Sequence, residues 1–211
     1  PGTGDAGGMN VYIANSARAL ARQGATIEMY TLDTSAAARL PSEPPVTTTH
    51  IEPHVRLHSI ALPEVSGLHK EQLPSFIDPW ADAVSAHLRT RDSMPDVLHS
   101  HYWLGGMAGL RISAGTAIPL VHTMHTIAAV KNAHRDNGDV IEPQGRIDAE
   151  SHIGALAQGL TANTLAETAD LVTYCDASAD RITVSPPGVD AEVYRGVHKA
   201  EAREELGVDA D

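Results

Sequence analysis

Along the 211-residue chain, segments with hydrophobic residues at helical spacing alternate with short apolar runs. This pattern predicts helices and strands in turn. Met9, Ile13 and Ala17 recur at helical spacing, so we expect a first helix over about 8–23 that ends at Gly24. Short apolar runs predict strands at 25–32, 55–62, 95–103, 118–126, 160–164 and 180–190. Helical patterns cover 74–90, 104–114, 142–158 and 165–176, and a short charged helix is expected near the last residues.

Strands that alternate with helices favour an α/β fold, with a Rossmann-like parallel sheet covered by helices on both faces. The proline-rich segment 34–50 is assigned to an irregular connection and 63–74 to a loop. Folds of this class bind ligands at the carboxyl ends of their strands. Polar residues follow two predicted strands at that edge, namely His99, His101 and Tyr102, and His122, His125 and Thr126. We therefore expect the functional site there.

Composition narrows the functional classes. A net charge of -12 argues against binding nucleic acid through a basic surface. Cys175 is the single cysteine and is interpreted as an inert residue at a helix end; with no internal disulfide possible, a reducing, cytoplasmic compartment is expected. No apolar run reaches the roughly 18 residues of a membrane span, and no signal peptide is visible.

The opening segment PGTGDAGGMNVY contains the spacing G-x-G-x-x-G, which is typical of dinucleotide-binding loops. A pyrophosphate would face the carboxylate of Asp5, which repels it. Asp5 and Asn10 are better suited to the hydroxyl groups of a polyol. Such a loop normally follows a first strand, and the chain begins at the loop, so the expected fold lacks that strand. A dinucleotide site remains the alternative at this point.

Twelve histidines raise the alternative of a zinc hydrolase. The motifs His99-x-His101 and His122-x-x-His125 could supply four ligands, but no Asp or Glu completes either motif. We interpret His99 and His122 as packing residues at strand ends and expect no resident metal. Seven further histidines are assigned to surface or loop positions, namely His50, His54, His58, His69, His87, His152 and His198.

Five segments occur in an order that resembles the amino-terminal half of the family-4 retaining glycosyltransferases. They are PGTGDAGGMNVY, SGLHKEQLP, HSHYWLGG, HTMHTIAAVKN and RITVSPPGVD. The first and fourth are similar to the group that acts in mycothiol biosynthesis, and PPGVD is shared more widely across the family. The resemblance implies the GT-B architecture, in which two Rossmann-like domains face each other across a cleft.

The resemblance also implies a reaction. N-acetylglucosamine would move from UDP-N-acetylglucosamine to 1D-myo-inositol 3-phosphate with retention of configuration. No cofactor is expected in this chain, and the resemblance leaves open whether full-length family members use Mg²⁺. The implied partners are the two substrates, without nucleic acid or membrane, and a homodimer is left open. No general base is assigned, because the family mechanism gives the acceptor proton to the donor phosphate.

The same resemblance assigns roles to individual residues. Lys70, Tyr102, Thr126 and Arg146 would hold the acceptor phosphate, a set whose two cations and hydroxyl groups suit a dianion. Asp5, Gly8, Met9 and Asn10 would contact the inositol, Pro1 and Gly8 would line the donor diphosphate loop, and His125 would face the donor sugar. Tyr102 could instead only pack, and Arg146 could be a solvated helix residue.

These expectations set the domain organisation. Residues 1–190 would form an acceptor-binding domain that is incomplete at its start, and 191–211 would link it to a donor domain outside the sequence. Such a half would not transfer sugar alone. The open alternatives are a non-catalytic polyol-phosphate-binding domain or gene fragment, and another family-4 enzyme of the sucrose-phosphate synthase type.

Overall fold

The computed structural model describes residues 7–34, 46–65, 67–68, 70–136, 138–191, 194 and 196–209. The helices are α1 (Gly8–Arg22), α2 (Ile77–Leu88), α3 (Tyr102–Thr116), α4 (Ala128–Ala133), α5 (Gln144–Leu156), α6 (Leu165–Tyr174) and α7 (Lys199–Glu205). The strands are β1 (Ile27–Asp33), β2 (Val46–Glu52), β3 (Val55–Ala61), β4 (Leu98–His101), β5 (Leu120–Thr123), β6 (Gly159–Ala162) and β7 (Ile182–Val184). The predicted α/β fold is confirmed.

In the described ranges the strands form two sheets. One is fully parallel, with the order β4-β5-β6-β7, and the other has the order β1-β3-β2. Strand β2 runs antiparallel to β3 at the edge of its sheet and was not predicted as a strand. The prediction of an irregular connection is therefore wrong from Val46 onward, and 35–45 lie outside the described residues.

Helices α2 and α3 join the two sheets through one apolar cluster. Ile60 of β3, Ala81 of α2 and Ala108 of α3 are buried together in it. Tyr30 of β1 and Leu98 of β4 pack against the same cluster from the two sheets. In a second apolar cluster, Leu120 of β5 and Leu160 of β6 are buried together with Ile153 of α5. The edge of the parallel sheet that carries the candidate residues therefore rests on a packed core.

A polar cluster lies near the start of β1 and β3. The carboxylate of Glu28 accepts hydrogen bonds from Arg56 and Arg91, and it bonds to the ring of His58. His58 is fully buried, stacked on Tyr30, so its assignment to the surface is wrong. Because strand residues two apart share a face, His58 points inward with Ile60, and Glu28 satisfies its ring nitrogen.

Several boundaries differ from the sequence prediction. The chain turns into α3 at Tyr102, so the predicted strand ends two residues early. The predicted loop contains short 3-10 helices at Pro63–Val65 and Lys70–Phe76, and α4 was not predicted. Pro79 does not interrupt α2, because it lies in the first turn, where a missing backbone N–H leaves no intrahelical bond unmade.

One glycine is required by a close approach of two elements. A Cβ at Gly154 of α5 would lie 1.9 Å from the carbonyl oxygen of Cys175, so only glycine fits there. Cys175 itself is fully buried at the end of α6, and burial raises the pKa of its thiol to about 12. Its assignment as an inert helix-end residue agrees with this environment.

Candidate functional site

The candidate site lies where β4 and β5 end side by side. His101 closes β4 opposite Thr123, which closes β5. The backbone then enters the left-handed region, with φ of 63° at Tyr102 and 64° at His125. This conformation is unfavourable for residues other than glycine and is concentrated at functional sites. Both strained positions are residues that the sequence assigned to ligand binding.

A hydrogen-bonded histidine pair forms one part of the site. His101 Nδ1 lies 3.0 Å from His125 Nε2, and the ring of Tyr12 from α1 stands edge-on to both imidazoles. Burial, with the neighbouring histidines, lowers the pKa of His101 to about 2 and that of His125 to about 4. The pair is therefore neutral at pH 7 and can exchange hydrogen bonds with hydroxyl groups. Through Tyr12, the first turns of α1 also lie beside the ends of β4 and β5.

The other two histidines of the motifs lie in β4 and β5, where His122 points into the core and His99 is exposed. His122 is fully buried, bonds to Ser100 Oγ over 2.7 Å and contacts Met124. His99 bonds to Thr123 Oγ1 over 2.8 Å. Within the described ranges no three His, Cys, Asp or Glu side chains converge as metal ligands. The zinc hydrolase alternative gains no support from this geometry.

Arg146 occupies the centre of the second part of the site. It lies in the first turn of α5 and is only 4% exposed, so the interpretation as a solvated helix residue is wrong. Its Nη2 donates to Thr126 Oγ1 over 2.8 Å, and its Cζ lies 4.9 Å from the ring centroid of Tyr102. Arg146 thus contacts two of the other three residues that were predicted to hold a phosphate. Thr126 is an exposed residue.

Two carboxylates hold the Arg146 guanidinium. Glu150, 1% exposed, accepts from Nε over 2.7 Å, and Glu142 accepts from Nη1 over 2.9 Å. The second oxygen of Glu150 accepts the backbone N–H of Ala128, the first residue of α4. Burial opposes the charge on Arg146, but the Glu150 hydrogen bond and the charges of Glu150, Tyr102 and Glu142 together raise the pKa of the guanidinium.

Lys131 brings a second cation to Glu142. Its Nζ donates to Glu142 Oε1, while Oε2 bonds to Arg146. Burial would raise the pKa of Glu142, but the Lys131 hydrogen bond and the Arg146 charge together hold it below the ordinary value. Glu142 is therefore ionised at neutral pH, as a bridge between a lysine and an arginine.

The remaining predicted residues lie at the edge of what the structure describes. Gly8, Met9 and Asn10 form the first turn of α1, where Asn10 donates its backbone N–H to Gly7. Pro1 and Asp5 lie outside the described residues, and so does the side chain of Lys70, whose backbone begins a 3-10 helix. The roles assigned to these residues stay predictions.

Sequence reasoning missed three residues of the site. Glu150 follows Arg146 by four positions, a helical ion-pair spacing that could have revealed it. Tyr12 lies one turn after Gly8 on the same helix, so the helical period could have placed it on the face of Gly8. Glu142 precedes α5 and has no periodic signal. His101 was not missed, because its position after a predicted strand identified it.

Comparison with solved structures defines the class of the fold. The chain matches the sucrose-phosphate synthase of Thermosynechococcus elongatus with a TM-score of 0.77 and 24% identity, over 97% of this chain and 48% of that one. It matches the catalytic domain of starch synthase IV from Arabidopsis thaliana with a TM-score of 0.56 and 12% identity, over 99% of this chain and 57% of that one. At these identities the likeness shows the fold alone, which is that of GT-B glycosyltransferases.

Sequence comparison then gives the family. Residues 7–188 match the glycosyl transferase 4-like domain, and the chain belongs to this family. The protein of Xylanimonas cellulosilytica described as a D-inositol 3-phosphate glycosyltransferase is 42% identical over 100% of this chain and 51% of its own length. Its counterpart from Segniliparus rotundus is 44% identical over 99% of this chain and 45% of its own length.

The chain spans about half the length of the curated relatives it matches. Among the helices that the structure describes, none combines the length and the apolar character needed to cross a membrane.

Proposed function

We propose that this chain is the acceptor-binding half of a retaining glycosyltransferase that moves N-acetylglucosamine from UDP-N-acetylglucosamine to 1D-myo-inositol 3-phosphate. The contact of Arg146 with Thr126 and Tyr102 carries the proposal, because a buried cation beside two hydroxyl-bearing side chains suits a phosphate. The relatives described as D-inositol 3-phosphate glycosyltransferases support the choice of acceptor.

The phosphate would bind at the mouth of the Arg146 cluster. Thr126 is an exposed residue whose Oγ1 accepts from Arg146, so the hydrogen of its own hydroxyl is left to donate to a phosphate oxygen. The Tyr102 phenol lies beside the same guanidinium. Lys70 would supply a second cation from the 3-10 helix that it begins. A fixed arginine with hydroxyl donors binds a dianion without reorganising the core.

The neutral histidine pair would serve the sugars. His125 follows β5 with a positive φ, three residues before α4, and His101 holds its ring. Neutral imidazoles donate and accept hydrogen bonds without attracting an anion, which suits hydroxyl groups of a sugar. We assign His125 to the donor sugar and the first turn of α1 to the acceptor ring.

Sugar transfer itself is proposed for the whole protein of which this chain would be about half. The described residues contain the acceptor cluster, and a UDP-sugar would need further groups across the cleft of the GT-B fold. The chain alone is accordingly expected to bind the acceptor and to leave UDP-N-acetylglucosamine unconsumed.

The second candidate is another phosphorylated polyol as acceptor, which the fold likeness to sucrose-phosphate synthase keeps open. Isothermal titration of the chain with 1D-myo-inositol 3-phosphate, myo-inositol, inorganic phosphate and fructose 6-phosphate separates the candidates. We expect 1D-myo-inositol 3-phosphate to bind most tightly and myo-inositol to bind at least tenfold more weakly, because a charge-assisted hydrogen bond contributes about 1.5–3 kcal/mol. Preferential binding of fructose 6-phosphate would support the second candidate instead, and equal binding of all four would contradict both.

A further inference from the structure

The carboxylate of Glu142 occupies the position between two cations that an incoming anion would take. One oxygen accepts from Lys131 and the other from Arg146. A phosphate bound to the same two cations would use two of its oxygens in the same way. Lys131 was not among the residues that the sequence assigned to the phosphate.

We propose that Glu142 is an internal competitor for the acceptor phosphate, which binds to Arg146 and Lys131 only when Glu142 releases them. This inference rests on the proposed function, since it takes the Arg146 cluster as the phosphate site. It adds Lys131 to that site and makes the exchange of one carboxylate for a dianion part of binding.

The donor count of Arg146 requires such an exchange. A guanidinium has five N–H donors. Four hydrogen bonds of Arg146 go to Glu150, Glu142 and Thr126, two of them to the oxygens of Thr126. A single donor is left among the described contacts, so a bidentate phosphate contact needs one of the four donors that are now in use.

Of the two carboxylates on Arg146, only Glu142 is placed to leave. Glu150 is 1% exposed and is fixed by the N–H of Ala128, so its release would strand a charge in the core. The side chain of Glu142 is 17% exposed. Asn132 clamps its backbone on both sides, donating to Glu142 O over 3.1 Å and accepting from Glu142 N over 2.9 Å. The carboxylate can therefore swing into solvent by side-chain rotation while the main chain stays in place.

The charge balance gives the exchange a selective effect. Arg146 and Lys131 are balanced by Glu142 and Glu150, so the four groups sum to zero while Glu142 is in place. Releasing Glu142 leaves one positive charge for the ligand. A neutral polyol has no charge to form ion pairs with Arg146 and Lys131, so it cannot replace the two that Glu142 gives up. A phosphate dianion can replace both. Glu142 thus discriminates phosphorylated acceptors from neutral sugars.

The test compares Glu142→Gln with wild type in calorimetric titrations with inorganic phosphate and with 1D-myo-inositol 3-phosphate. Glutamine keeps the shape and can still accept a hydrogen bond, so the fold is retained, which circular dichroism checks. The matched control is Glu201→Gln on the exposed face of α7, which makes the same change in net charge. We expect Glu142→Gln to bind both probes roughly fivefold or more tightly, from the removal of one like charge at contact distance, and Glu201→Gln to match wild type.

A double variant shows whether Lys131 takes part. Adding Lys131→Ala to Glu142→Gln removes one of the two cations and should abolish most of the gain. Binding of 1D-myo-inositol 3-phosphate by wild type without tightening in Glu142→Gln overturns the competition alone, because Glu142 would then only position the cations. No binding by either protein contradicts the proposed function on which the inference rests.

Discussion

Arg146 and Glu150, one turn apart on α5, form a buried ion pair in which Arg146 Nε donates to Glu150 Oε1 over 2.7 Å. The pair connects the candidate phosphate site to α4, because Glu150 also accepts the N–H of Ala128. The same contact that orients the guanidinium therefore contributes to the fold.

Breaking this pair from one side should be costly. Arg146→Gln leaves the carboxylate of Glu150 buried without its cation, and we expect a loss of about 3–5 kcal/mol in the free energy of unfolding. Glu150→Gln strands the arginine in the same way. The double variant should lose less than the sum of the two, with a coupling of about 1–3 kcal/mol in urea denaturation. Additive losses would show that the pair does not act as a unit.

The left-handed backbone of Tyr102 should appear as strain. Tyr102→Ala and Tyr102→Gly remove the same aromatic ring, but only glycine adopts a φ of 63° without cost. We expect the alanine variant to be about 1 kcal/mol less stable than the glycine variant. Thermal unfolding measures the difference. Equal stabilities would mean that the turn relaxes once the ring is gone.

Two glycines of α5 give a matched test of the close approach to α6. Gly154→Ala places a Cβ against the carbonyl of Cys175 and should destabilise the chain by about 3 kcal/mol or more, as overpacking in a core does. Gly145→Ala meets nothing within 4 Å and should stabilise the helix by up to about 1 kcal/mol. A tolerated Gly154→Ala, with urea midpoints like those of wild type, would contradict the packing of α5 on the end of α6.

The buried histidines predict a loss of stability in mild acid. Burial lowers the pKa of His122 to about 3. Between pH 6.5 and 3, His122 is therefore protonated in the unfolded chain but not in the folded chain. Stability must then fall as the pH falls, by at most about 1.4 kcal/mol per pH unit for one histidine. His122→Asn should have a shallower slope than wild type between pH 6.5 and 5. Parallel slopes for the two proteins would mean that His122 is protonated in the fold.

Local patterns along the chain predicted most elements of the fold. Helix α1 begins and ends within one residue of its expected bounds, and Gly24 has the expected positive φ of 95°. Strand β2 escaped prediction because it is an edge strand whose threonine-rich middle is exposed, so it has no apolar alternation. Its antiparallel direction depends on pairing with β3, which no local pattern encodes.

The site was predictable as a set of residues but not as a network. Polar residues after β4 and β5 indicated a site at the carboxyl ends of these strands. The resemblance singled out Arg146, which the fold brings into contact with Thr126, 20 positions earlier in the chain. Burial of Arg146 and its balance by Glu142 depend on how α5 packs, so they lie beyond sequence reasoning. The contact between His101 and His125 likewise needs the register of two strands.

The central claim is that this chain holds the phosphate of 1D-myo-inositol 3-phosphate at the Arg146 cluster with the help of Lys70. Calorimetric titration of wild type, Lys70→Ala and the control Lys199→Ala, which removes an exposed lysine from α7, tests it most directly. The account predicts binding by wild type and by Lys199→Ala, and affinity at least tenfold lower for Lys70→Ala, since each charge-assisted hydrogen bond contributes about 1.5–3 kcal/mol. No binding by wild type, or unchanged affinity in Lys70→Ala, would contradict it.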